Sequence, residues 1–143
     1  MRKQNLRTLL LGIPVLLLLS PVRGQAPAPQ PLVCPLECAS GDCTLLGGAP
    51  QTAGLRSGFV RLPPGETVGW HSTTQHEEAL VILRGQGEAR IEGQPPRPFS
   101  APRLIYIPPA TRHNVANTGG EVLEYVYVVA PLAKAQPGTP PKK

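Results

Sequence analysis

The run GETVGWHSTTQHEEALVILRG, residues 65–85, decides how this chain of 143 residues folds. Its second part, residues 78–83, is an apolar stretch of strand length that closes on the turn Gly85-Gln86-Gly87. No cap or 3.6-residue period marks a helix there, so a buried strand is expected. Its first part follows the turn Pro63-Pro64-Gly65 and sets His71 seven residues ahead of Glu78. A second run, PPATRHNVAN at residues 108–117, carries His113. The chain has only three histidines, His71, His76 and His113, and all fall inside these two runs. Two imidazoles and a carboxylate form a donor set for a divalent ion such as Fe, Mn, Zn or Ni. His71, Glu78 and His113 are therefore candidate metal ligands.

Outward from these runs, short apolar stretches alternate with turn residues over residues 56–131, a pattern of many strands in a sandwich or barrel. Strands are expected at 58–62, 66–71, 78–83, 88–91, 104–107, 112–116 and 122–129, with 88–91 the hairpin partner of 78–83. The proline-interrupted residues 92–98 read as a link. Residues 27–55, proline-rich and then cysteine-bearing, read as an irregular segment, and 132–143 as a disordered Pro/Lys tail. The fold class is all-β, in a single domain.

Side chains alternate across a strand, which puts Thr67, Gly69, His71 and Thr73 on one face and Val68 and Trp70 on the other. Glu78, Leu80 and Ile82 share a face, as do His113, Val115 and Asn117. A barrel wall that turns His71, Glu78 and His113 inward gathers three ligands from three strands, with Leu80, Ile82 and Val115 as a dry lining. Trp70 and Tyr106 read as packing residues. Arg61, Arg84 and Arg90 read as solubilising, or as a grip on an anionic molecule at the mouth.

The two runs resemble the paired motifs of the cupin superfamily, small β-barrels of the jelly-roll type. The first motif is matched by Gly65, His71, Glu78 and Gly85, and the second by Pro108, His113 and Asn117. The resemblance implies a double-stranded β-helix barrel over 56–131, with His71, Glu78 and His113 holding a metal. Three positions depart from the pattern. Thr73 stands where a second histidine is usual, Ala110 replaces a glycine, and Arg103 takes the place of the opening glycine of the second motif. A hydroxyl is a poor ligand, so His76, at the lip of the next strand, is the candidate to supply the missing imidazole or to support the site from behind. Glu77 alternates away from Glu78 and reads as a surface carboxylate.

The first 26 residues have a basic start, an apolar run at 9–19 and small residues at 24 and 26, the layout of a cleaved signal peptide and hence of an exported protein, periplasmic or secreted. That segment holds four of the 14 basic residues and none of the nine acids. The formal charge of +5 is thus produced by the ends of the chain and does not point to nucleic acid. After cleavage no membrane segment is expected. In an oxidising compartment Cys34, Cys38 and Cys43 give one local bridge and one leftover thiol, or, as the sharper alternative, a three-thiolate site for Cu(I) or Zn.

Two functions fit these features. One is a metal-dependent dioxygenase, isomerase or lyase acting on a small organic molecule in the barrel cavity. The other is a non-catalytic module that holds a metal or a small ligand. A homodimer across an edge strand is expected to help so small a core.

Overall fold

The computed structural model describes residues 27–38 and 41–132. The expected signal peptide and all of the expected tail beyond Leu132 lie outside the described residues. Within them are eight strands and no helix: β1 (Cys43–Gly47), β2 (Arg56–Leu62), β3 (His76–Arg84), β4 (Gln86–Ile91), β5 (Arg97–Ser100), β6 (Arg103–Ile107), β7 (His113–Ala116) and β8 (Leu123–Pro131). Five of them form one sheet in the order β1-β2-β8-β3-β6, and three form a second in the order β5-β4-β7. Every pairing is antiparallel.

The two sheets face each other across a core built by alternation. Val60 and Leu62 from β2, Leu80 and Ile82 from β3, and Leu123 and Tyr125 from β8 meet Ala89, Phe99 and Val115 of the smaller sheet. Leu80, Ile82 and Leu123 are at most 1% exposed, so each contributes roughly 1.5–3 kcal/mol of burial. Asn117 is buried too, and its role is structural. Its Nδ2 donates to the carbonyls of Leu62 (2.8 Å) and Glu121 (2.7 Å), tying the end of β2 to the turn before β8.

Four details differ from the sequence reading. Part of the segment expected to be irregular is a strand: β1 pairs with β2, Cys43 opposite Phe59 and Gly47 opposite Arg56. Glycines and a cysteine hid its short apolar core, Leu45-Leu46. Next, β3 and β4 are not a hairpin pair. β3 pairs with β6 and β8, whereas β4 pairs with β5 and β7. Gly85 carries the chain from one sheet to the other at a φ of 86°, packed so closely that a Cβ would lie 2.9 Å from the Val122 carbonyl oxygen. Only glycine fits such a crossing.

The expected link also contains β5, which tolerates Pro98 because it is an edge strand. Lastly, residues 66–71 form only isolated bridges to β7, Thr67 opposite Ala116 and His71 opposite His113. Gly69, at a φ of 88°, interrupts the run and resets its alternation. Val68 consequently faces inward together with His71, while Trp70 points out.

Trp70 and Tyr106 are not packing residues; they are 45% and 57% exposed. Trp70 lies under the Arg112 guanidinium at 5.7 Å, and the Tyr106 hydroxyl donates to Glu77 at 3.2 Å.

Candidate metal centre

Three segments bring the ligands together. Glu78 comes from β3 of the larger sheet, His113 opens β7 of the smaller one, and His71 is held beside it by reciprocal backbone hydrogen bonds of 3.0 and 2.9 Å. One donor atom from each of His71, Glu78 and His113 lies within 4.8 Å of the others. The two imidazole rings are tilted by 59° with centroids 4.3 Å apart.

Backbone carbonyls fix which ring nitrogen is free. The Nδ1 of His71 lies 3.0 Å from the Gly69 carbonyl, and that of His113 lies 3.0 Å from the Thr111 carbonyl. A carbonyl only accepts, so each Nδ1 carries the proton and each Nε2 keeps a lone pair for a ligand bond. His113 and Glu78 are 1% and 5% exposed, and His113 Nε2 stands 3.3 Å from Glu78 Oε2. Neither atom has an aligned hydrogen-bond partner. With His113 neutral, the two facing acceptors are unpaired at about 1–3 kcal/mol each, whereas a shared cation satisfies both. The residues present therefore fit a divalent ion. Burial works against protonation of His113, but the Glu78 carboxylate and the Thr111 carbonyl outweigh it and hold its pKa above the ordinary 6.5.

The centre lies in a cavity of about 280 Å³. Leu80, Val115, Val68 and Val129 supply apolar wall, and Thr73 joins the lining beside the ligands. His71, unlike the other two ligands, is exposed, so the centre opens toward solvent on that side. His76 is not brought into the cluster. Its Nδ1 sits 3.2 Å from the Thr73 carbonyl, and Thr73 Oγ1 donates to the His76 carbonyl at 2.8 Å. The two residues at the departure from the family pattern thus hold each other.

Four lining residues with polar or charged groups escaped the sequence reading: Asp42, Arg56, Tyr125 and Tyr127. The tyrosines were findable, because alternation along β8 puts Leu123, Tyr125, Tyr127 and Val129 on one face. Burial, followed by the charges of Asp42 and Glu78 and by Tyr127, pushes the Tyr125 phenol well up, so it stays protonated. Tyr127 has room only because β2 carries Gly58, where a Cβ would come within 2.5 Å of its ring. Arg61, Arg84 and Arg90 are absent from the lining and pair with Glu124, Glu121 and Glu88 at 3.0–3.3 Å. A larger groove of about 500 Å³, bordered by β4, β5 and β6, has neither imidazole nor carboxylate in its lining.

The cysteines form one bridge, Cys38–Cys43, and Cys34 is free. A three-thiolate metal site is therefore ruled out in this state. Among the described residues no helix is long and apolar enough to cross a membrane.

A two-sheet antiparallel barrel with an inward His, Glu, His set defines a cupin, and the chain belongs to that family: the Cupin domain pattern matches residues 58–129. It is similar to the polyketide synthase CurC of Streptomyces cyaneus, 33% identical over 87 residues, which is 59% of this chain and 56% of that protein. The chain thus spans little more than half the length of that relative. Among solved structures, a Cupin 2 conserved barrel domain protein from Salinispora arenicola CNS-205 superposes with a TM-score of 0.55 at 25% identity, covering 74% of this chain and 90% of that one. An RmlC-like cupin family protein with a double-stranded β-helix fold from Methanocaldococcus jannaschii gives 0.58 at 21% identity, covering 71% and 91%.

Proposed function

We propose that this cupin holds a divalent metal ion through His71, Glu78 and His113 and uses it on a small organic molecule, as a dioxygenase, isomerase or lyase. The observation that carries this reading is the facing pair of buried, unsatisfied atoms, Glu78 Oε2 and His113 Nε2. An ion held there supplies Lewis-acid polarisation of an oxygen atom, or a site for dioxygen. The chain's own residues do the rest. The Gly69 and Thr111 carbonyls aim the two imidazoles, and Leu80, Val115 and Val129 keep water from the inner wall. The protonated Tyr125 phenol is a donor for an oxygen atom of the bound molecule.

The similarity to a polyketide synthase protein supports a small organic molecule as the partner. The Cys38–Cys43 bridge, of the kind that persists in oxidising compartments, supports export, and N-terminal sequencing of the natively produced protein tests that point.

A non-catalytic binding module is the second reading. It is favoured by a lining that contains no imidazole beyond the two ligands and by a volume at the lower edge of ordinary ligand sites. Elemental analysis of natively purified protein beside His71→Ala and His113→Ala tests the site itself. Equal metal in all three would refute it. Oxygen uptake and turnover by the loaded protein then separate the two readings.

A further inference from the structure

Part of the cavity rim is built by residues outside the 58–129 stretch that carries the family pattern. Asp42 immediately precedes β1. Cys43 pairs with Phe59, so extending the register by one residue sets Asp42 beside Val60, whose side chain lines the cavity. The Cys38–Cys43 bridge closes the chain next to Asp42 and ties this corner down. Arg56 begins β2 opposite Gly47. Its stem runs over the bare backbone of Gly48, where a Cβ would lie 3.2 Å from the Arg56 Cγ.

Asp42 and Arg56 both line the cavity that holds His71, Glu78 and His113. Both are exposed, and among the described residues neither has a salt-bridge or side-chain hydrogen-bond partner. Arg61, Arg84, Arg90 and Arg112, by contrast, each have a glutamate within 3.3 Å. Arg56 and Val60 are four residues apart on one strand, roughly 13 Å at the usual rise. The two opposite charges therefore stand apart along the rim and do not neutralise each other.

From this placement we infer that Asp42 and Arg56 are specificity-determining residues. They select an extended acid whose hydroxyl or ammonium group lies at the opposite end of the molecule from its carboxylate, as two charges set apart along the rim require. The Arg56 guanidinium matches a carboxylate with two parallel donors. The ionised Asp42 only accepts, so it takes the hydroxyl or ammonium proton and repels a second carboxylate. This rests on the metal-cavity reading above and adds to it the chemical class of the ligand.

The test uses four acids of six carbons, hexanoate, 6-hydroxyhexanoate, 6-aminohexanoate and adipate, titrated into the Co(II)-loaded protein and followed by its visible spectrum. The metal load is measured separately. Each carboxylate can also bind cobalt directly, so the quantity that decides is the change in each affinity ratio on mutation. Asp42→Ala should lower the 6-hydroxyhexanoate/hexanoate and 6-aminohexanoate/hexanoate ratios about tenfold, the loss of one charge-assisted hydrogen bond, and should raise adipate binding. Asp42→Asn should retain part of the hydroxy-acid ratio and lose most of the amino-acid ratio. Arg56→Ala should weaken all four acids together. Unchanged ratios in Asp42→Ala, or a fully loaded wild type that binds none of the acids, would overturn the inference. Failure of the wild type to load cobalt would instead sink the metal reading. The same ratios, measured by calorimetry on the metal-free protein, then still decide the roles of Asp42 and Arg56.

Discussion

Glu78 and His113 face each other from opposite sheets, 3.3 Å apart and almost fully buried, and neither makes an aligned hydrogen bond. A core tolerates that arrangement when a cation completes it. Removing one partner, by Glu78→Gln or His113→Ala, is expected to lower metal affinity by about 100-fold or more, beyond what loss of a supporting residue costs. Replacing both residues with leucine should abolish metal binding and raise the stability of the metal-free protein by about 1–4 kcal/mol. Denaturant unfolding in EDTA, at a pH high enough to keep His113 neutral, measures the second effect, and a loss of stability there would show that the pair is satisfied without an ion.

The raised pKa of His113 gives opposite pH slopes with and without metal. In the metal-free protein its pairing with Glu78 contributes stability that is fully present below the ordinary imidazole value of about 6.5. That contribution is lost as pH rises through the higher folded value. Metal binding needs the neutral ring, so affinity falls as pH drops through the same value. Melting curves from pH 6 to 8 should therefore show a falling Tm in EDTA and a rising metal-induced increment. Parallel slopes would contradict this account.

Ala110 occupies a position where its family usually has glycine, and it adopts a φ of 56°. A left-handed alanine costs about 1–2 kcal/mol, part of which glycine would forfeit through its greater freedom in the unfolded chain. Ala110→Gly should thus be neutral or stabilising by about 1 kcal/mol, with valine at this site clearly destabilising. Chemical denaturation of the two variants gives the comparison.

Thiol titration of the denatured, unreduced protein should find one reactive thiol per chain, and three after reduction. The Cys38–Cys43 bridge closes a short loop, so its removal is expected to cost about 2 kcal/mol. Three thiols without reductant would mean that the bridge is not formed.

Strand β6 is one of the two edges of the larger sheet, and its Leu104 and Tyr106 are 67% and 57% exposed. Self-association across this edge is expected. Leu104→Lys should lower the mass seen by sedimentation, and a monomeric wild type at all concentrations would remove the point.

Much of the barrel was legible because its signals are local. The inward set Glu78, Leu80 and Ile82 follows from period two, and the spacing of His71, Glu78 and His113 carried the family resemblance. What was lost depended on partners distant in sequence. Gly85 looks like a hairpin glycine until the crossing between sheets is seen, and Gly69 gives no warning that it resets the faces of Val68 and His71. Asp42 was invisible for the same reason: only its register against Val60 brings it to the cavity. His76 had suitable chemistry, but the mutual hydrogen bonds of Thr73 and His76 could not be read from spacing.

The donors at the centre belong to both layers of the sandwich, with the carboxylate of Glu78 on one and the imidazole of His113 on the other. Ion radius thereby becomes a mechanical variable. A larger cation asks the two layers to separate, and the close-packed core that holds Leu80 and Val115 resists in the manner of a stiff spring. Discrimination among ions that share a preference for imidazole and carboxylate would then lie in the apolar wall behind the ligands, where a change of one methylene retunes the gap without touching a donor.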